Sequence, residues 1–122
     1  MGAIQIDLSM QPSLYAQFLK EVHGLDCLEY EWGYATYELG PDYVYIIDIF
    51  VKPELRSAHK GVQLMHEIES IAKQKGAIKM YGSVAITSKE AMKNYKMLQH
   101  LGFQDSHQND ENLYLVREIS RE

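Results

Sequence analysis

Ile49-Phe50-Val51-Lys52-Pro53-Glu54-Leu55-Arg56-Ser57-Ala58-His59-Lys60-Gly61-Val62 carries the end of an apolar strand through a proline-led turn and into a helix. Upstream, Tyr43 to Val51 is a β-branched and aromatic run broken only by Asp48, the composition of a strand. Downstream, Leu64, Met65, Ile68, Ile71 and Ala72 recur at the helical period, which predicts a helix from Gly61 to Lys75 stopped by Gly76 in the left-handed conformation. The order strand, tight turn, helix N-terminus builds an anion site, because the first helical N–H groups have no intrahelical partner and the macrodipole places positive charge there. Lys52, Arg56 and Lys60 add positive charge locally to a chain whose formal net charge is −5. On these residues alone two readings stand: a cradle for a pyrophosphate, or an ordinary strand-to-helix connection with solvated lysines.

Farther out, Val44-Tyr45-Ile46-Ile47 is continuously apolar, which predicts a central strand covered on both faces and therefore helices on both sides of a sheet. Residues 28 to 38 alternate loosely, and Gly40-Pro41-Asp42 supplies turn chemistry, so this segment pairs with Tyr43 to Val51 as a hairpin. Pro12, then Leu14, Tyr15, Phe18, Leu19 and Val22 at helical spacing, then Gly24, predict an amphipathic helix ending near His23. Ile78 to Ile86 reads as a further strand. Thr87-Ser88-Lys89-Glu90 has capping-box spacing and opens a helix that turns Ala91, Met92, Tyr95 and Leu98 inward before Gly102. A last strand, Leu113 to Val116, follows a polar stretch from Asp105 to Asn112 that is expected to be mobile or to form a hairpin with Phe103.

The 122 residues suit a single domain spanning 1–122, and 46% hydrophobic with 24% charged residues is ordinary globular usage. No apolar stretch approaches the roughly 20 residues of a membrane helix, and Met1 to Met10 lacks the basic segment of a signal peptide. One cysteine, Cys27, excludes an internal disulfide and leaves a zinc site dependent on scattered His and Asp. The expectation is a cytoplasmic protein without a metal, without membrane attachment and, given its acidic balance, without a nucleic-acid partner.

Val51-x-Pro53-x-x-Arg56-x-x-x-x-Gly61, after an apolar strand and before an amphipathic helix, resembles the acetyl-CoA motif of the GNAT superfamily of N-acetyltransferases. The stretch from Asp48 to Arg56, with Ala91-Met92-x-x-Tyr95-Lys96 and Leu101-Gly102-Phe103 downstream, is similar to spermidine/spermine acetyltransferases and small phage-borne members. The resemblance spans roughly residues 45 to 103. It implies an α/β (α+β) fold with a mixed, mostly antiparallel sheet flanked by helices. It further implies that Ile49 and Val51 offer backbone contacts to the pantetheine arm of acetyl-CoA and that Phe50 packs on it. Arg56, Ser57, Ala58, His59, Lys60 and Gly61 would present N–H groups to the pyrophosphate, with Val62 opening the helix. Ser88 and Tyr95 join this coenzyme set. The family usually has Gly where this chain has Ser57 and His59, and a Cβ there crowds a backbone that must approach phosphate.

Acetyl transfer needs a neutral amine, since an ammonium of pKa about 10.4 has no lone pair. The resembled polyamine enzymes carry a carboxylate at the position of Ile47, absent here, while Asp48 lies one residue on and faces the opposite side. Asp48 is thus open to two roles, pairing with a nearby donor or taking part in proton removal. Tyr95 matches the family's general acid counted from Ala91-Met92, and its phenol would stabilise the departing sulfur or else fill the core. The thioester oxygen would meet a backbone N–H where the strand bulges, that of Ile49. From Glu21 to Val51 there is no Lys or Arg but seven acids, which with the resemblance suggests a cationic amine acceptor oriented by Glu29, Glu31 and Tyr34. A homodimer is a further expectation, and an acyl-CoA-binding module without turnover is the alternative to an enzyme.

Overall fold

The computed structural model describes residues 12–56 and 59–120. Helix α1 (Leu14–Phe18) continues as a wider π turn through His23, and Gly24 closes it at φ 70°, a conformation glycine adopts without steric cost. Strands β1 (Asp26–Tyr30), β2 (Gly33–Leu39) and β3 (Tyr43–Val51) form a meander. A short 3₁₀ turn, Pro53–Leu55, leads to α2 (Lys60–Gln74), followed by β4 (Lys79–Ala85), α3 (Ala91–His100), β5 (Gln104–Gln108) and β6 (Asn112–Glu118). The six strands lie in the order β1-β2-β3-β4-β6-β5. All neighbours are antiparallel except β3 and β4, so the expected mixed, mostly antiparallel sheet with flanking helices is what forms.

Side-chain alternation assigns the two faces. Ala35, Tyr37, Val44, Ile46 and Val51 bury themselves against Leu64, Met65, Ile68 and Ala72 of α2. Fully burying Leu64 and Ile68 alone contributes roughly 1.5–3 kcal/mol each. Arg117 of β6 joins this face to α3: it pairs with Glu69 of α2 at 2.5 Å and donates to the Leu101 carbonyl at 3.0 Å. Helices α2 and α3 thus share one face. Helix α1 lies on the other, over β1 and β2, where Ser13 caps it and donates from its hydroxyl to Glu29 at 2.7 Å. Gly33 permits the close approach of β2 to β3, since a Cβ there would lie 2.4 Å from the Phe50 carbonyl oxygen.

Several expectations change. The segment 28–38 is two strands, because Glu31 and Trp32 form a two-residue turn. Of the two outcomes expected for 105–112, the hairpin forms: Gln104–Gln108 is exposed throughout and pairs with β6. Thr87-Ser88-Lys89-Glu90 forms turns rather than a capping box: the Ser88 hydroxyl accepts from Glu90 N–H, and α3 starts at Ala91. Met92 points outward, as do Leu14, Phe18 and Val22, leaving Ala16 and Leu19 as the buried side of the first helix. Strand β3 is central, yet its second face is not fully covered at Tyr43 and Tyr45, which line an open groove.

Candidate active site

Strands β3 and β4 pair only at Tyr43 with Lys79, Val44 with Met80 and Tyr45 with Tyr81. Beyond that point β3 stays with β2 as far as Val51, and β4 stays with β6 as far as Ala85. The sheet therefore opens between its two middle strands while both halves remain intact. Lys52 N–H donates to Trp32, and the ladder alternates from there, so the N–H and C=O of Ile49 and Val51 point away from β2 into this opening. One such group is already taken, because Arg56 Nε donates to the Val51 carbonyl at 2.8 Å. The extra residue of the β3 bulge is Ile47, opposite the Thr36/Tyr37 step. The expected bulge at Ile49 thus falls two residues earlier, while Ile49 keeps an outward amide.

The opening leads at its wide end to the N-terminus of α2. His59 precedes the helix at φ 59° and ψ 21°, and no side chain caps it. No acid occupies the first turn. Gln63 N–H returns to the His59 carbonyl at 3.0 Å, which leaves the amides of Lys60, Gly61 and Val62 without a partner among the described residues. Free amides, an uncapped dipole and nearby Lys and Arg side chains form an electrophilic corner suited to an anion. Ser57 and Ala58, which belong to the expected cradle, lie outside the described residues.

The other predicted residues fall in three groups. Phe50 lies on the α1 face, stacked near Tyr34 at 5.7 Å with the Arg56 guanidinium 5.4 Å from its ring. Tyr34 also meets Tyr15 edge-on, and burial, then Tyr15 and Asp48, raise its phenol above the ordinary range. Asp48 is exposed on the same face and accepts a long 3.4 Å bond from Thr36 Oγ1, which is the paired role left open for it. The Lys60 ammonium lies 4.8 Å from the Trp32 ring, which stacks on Tyr30, whose hydroxyl bonds Glu67 of α2. Glu29 holds Ser13 and stands directly across the ladder from Tyr34, so these two share the α1 face, while Glu31 is exposed in the β1–β2 turn. Ser88 sits at the turn before α3.

Tyr95 projects from α3, and its hydroxyl lies 3.0 and 3.2 Å from the two Asp105 oxygens and accepts from Gln99 Nε2 at 3.0 Å. The Asp105 hydrogen bond is the main cause that raises this phenol above its usual pKa. Since β5 is the edge strand two positions beyond β4, that hydroxyl points away from the opening between β3 and β4. The Cys27 thiol is pushed up to about 11, first by burial and then by Glu29, and stays protonated at neutral pH.

The Acetyltransferase (GNAT) family profile matches residues 15–103, most of the chain. The chain belongs to the GNAT acetyltransferase family. As a member it is an acyltransferase, and its fold matches solved structures of the family. An acetyltransferase from Thermus thermophilus superposes with a TM-score of 0.70 at 18% identity, covering 94% of this chain and 79% of its own. A GNAT family acetyltransferase from Elizabethkingia anophelis, solved with acetyl-CoA bound, gives 0.68 at 15% identity over 88% and 83%. A PaiA N-acetyltransferase from Thermoplasma acidophilum, in complex with coenzyme A, gives 0.66 at 15% over 91% and 82%. No curated protein matches this GNAT chain.

Residues missed in the sequence gather on the other side of the opening. Tyr45 donates to Ser83 Oγ at 3.1 Å across the point where β3 and β4 part, beside Tyr43, Tyr81, Tyr114, His107 and Glu38. The signal was present in Tyr43-Val44-Tyr45-Ile46, an alternation of phenol and aliphatic residues that places the tyrosines together on one face.

Proposed function

We propose that the chain transfers the acetyl group of acetyl-CoA to a primary amine by direct attack. The observation that carries this is the parted pair β3 and β4, which turns both backbone groups of Ile49 and the amide of Val51 toward a gap ending at the uncapped amides of Lys60, Gly61 and Val62. A pantetheine arm is an extended chain of amides and would complete the ladder that β4 abandons. Its diphosphate would meet the helix amides together with His59, and Arg56 closes the strand end by its bond to the Val51 carbonyl. The acetyl group then lies toward the narrow end of the opening.

There the amine lone pair attacks the thioester carbonyl carbon, the C–S bond breaks, and one proton leaves the nitrogen while the thiolate gains one. The Ile49 amide is the donor for the developing oxyanion. Asp48, one residue away and exposed, is the carboxylate available to accept the amine's proton through water. Tyr95 acts on the sulfur only by exchanging its bond to Asp105. That bond favours a second reading, an acyl-CoA-binding module without turnover. Calorimetric titration with acetyl-CoA, followed by thiol release with a panel of amines, separates the two. Micromolar binding with release supports the enzyme, binding alone supports the module, and no binding at millimolar concentration removes both.

A further inference from the structure

Helices α2 and α3 cover one face of the sheet, and α1 covers β1 and β2 on the other. Between α1 and the β5–β6 edge that second face is a groove of about 300 Å³, at the small end of sites for small molecules. Its floor is phenolic: Tyr43 and Tyr81 meet edge-on at 5.8 Å, Tyr45 and Tyr114 lie 6.3 Å apart, and His107 leans on Tyr114 at 5.1 Å. The Tyr45 hydroxyl marks where β3 and β4 part, so the groove meets the opening at its narrow end.

Glu38 is the one carboxylate lining this groove, and it makes no hydrogen bond or ion pair among the described residues. It stands directly across the ladder from Tyr45. Lys79 follows on the same face of β4 but faces Glu118 in the ladder, so no lysine neutralises Glu38 within the groove. One free carboxylate provides for one cation, and the surrounding rings provide flat apolar contact and cation–π attraction.

We propose that this groove is the acceptor site and that the acceptor is a small monoamine carrying an aromatic or flat apolar body. Glu38 receives the entering ammonium beside Tyr45, and the tyrosine rings with His107 hold the body. The ammonium gives up one proton to water, the neutral nitrogen forms the N–C bond to the acetyl carbon as the C–S bond breaks, and the second N–H proton passes to the departing thiolate. A diamine would leave its second charge on the rings without a carboxylate, and a lysine on a folded protein would leave most of the aromatic floor unfilled. This inference rests on the acetyl-transfer reading above.

The test compares phenethylamine, butane-1,4-diamine and a lysine-containing peptide as acceptors, with acetyl-CoA affinity measured in parallel. The expected kcat/KM for phenethylamine exceeds that of either alternative by about tenfold or more. Glu38→Gln, exposed and therefore benign to folding, raises the phenethylamine KM about tenfold at unchanged acetyl-CoA affinity. Tyr114→Ala does the same, and Tyr114→Phe restores the parent value. Transfer that persists with KM unmoved in Glu38→Gln and Tyr114→Ala overturns the groove and leaves acetyl transfer standing. A preference for the diamine or the peptide overturns it as well, as does coenzyme binding without thiol release for any amine. Failure of acetyl-CoA to bind overturns the transfer reading itself.

Discussion

His59 occupies the left-handed region at φ 59° immediately before α2, where a non-glycine residue is strained by roughly 1–2 kcal/mol. Replacing it with glycine removes that strain. The substitution also loosens the unfolded chain, at a cost of roughly 0.4–1 kcal/mol. The imidazole has no partner among the described residues, so little else is lost. The balance is a gain of about 0.5–1 kcal/mol, which for a domain of this size raises Tm by roughly 2–4 °C. His59→Ala retains the Cβ and therefore the strain, and stays within about 0.5 kcal/mol of the parent. Differential scanning calorimetry of the three proteins reads this directly. The same change opens the turn to phosphate, so His59→Gly also binds acetyl-CoA more tightly than His59→Ala does. Equal Tm shifts for glycine and alanine, or a loss for glycine, would show that His59 is not strained at this position.

Other outcomes follow from neighbouring contacts. Arg56→Ala frees the Val51 carbonyl and removes a charge near the diphosphate, weakening acetyl-CoA binding about tenfold by calorimetry while Tm stays near the parent's. Tyr95→Phe leaves kcat and coenzyme affinity near the parent's, because its hydroxyl is held by Asp105 away from the opening; a roughly tenfold loss of kcat would show that the phenol reaches the sulfur during turnover. Cys27, with its thiol pushed up from 9.0 to about 11, reacts with a disulfide reagent at pH 8 roughly 100-fold more slowly than in the unfolded chain, in proportion to its smaller thiolate fraction. Because the folded pKa is raised, the unfolded thiol ionises first, so this group's contribution to stability falls between pH 9 and 11. Gly33→Ala forces a Cβ against the Phe50 carbonyl and destabilises the fold by about 1–3 kcal/mol, seen as a lower urea midpoint.

The strongest signals in the sequence were those set by local periodicity. The α2 face, the β3 run and the Gly76 stop each depend on residues a few positions apart, and they appear within a residue or two of expectation. Strand β5 was legible only as one of two alternatives, because Gln104–Gln108 is polar throughout; its pairing with β6 is tertiary and leaves no alternation of its own. The first helix buries Ala16 and Leu19 rather than its larger residues, since the turn widens and rotates the stripe. The strand, turn and helix head of the proposed coenzyme segment were legible because they lie contiguously from Ile49 to Val62. The groove proposed for the acceptor was not, because it draws residues from five strands that only the sheet order makes neighbours. Tyr95 shows the same limit: the spacing placed it on α3, but its partner Asp105 comes from an edge strand whose pairing the sequence left open.

In the proposed complex the free amides at the head of α2 receive the diphosphate. Titration of the ¹⁵N-labelled protein with coenzyme A, followed by amide NMR, observes those groups individually. The account predicts that the Lys60, Gly61 and Val62 resonances move first and farthest, saturating at micromolar ligand. Resonances at the helix head that stay fixed at millimolar coenzyme, or shifts confined to the opposite end of the sheet, would contradict it.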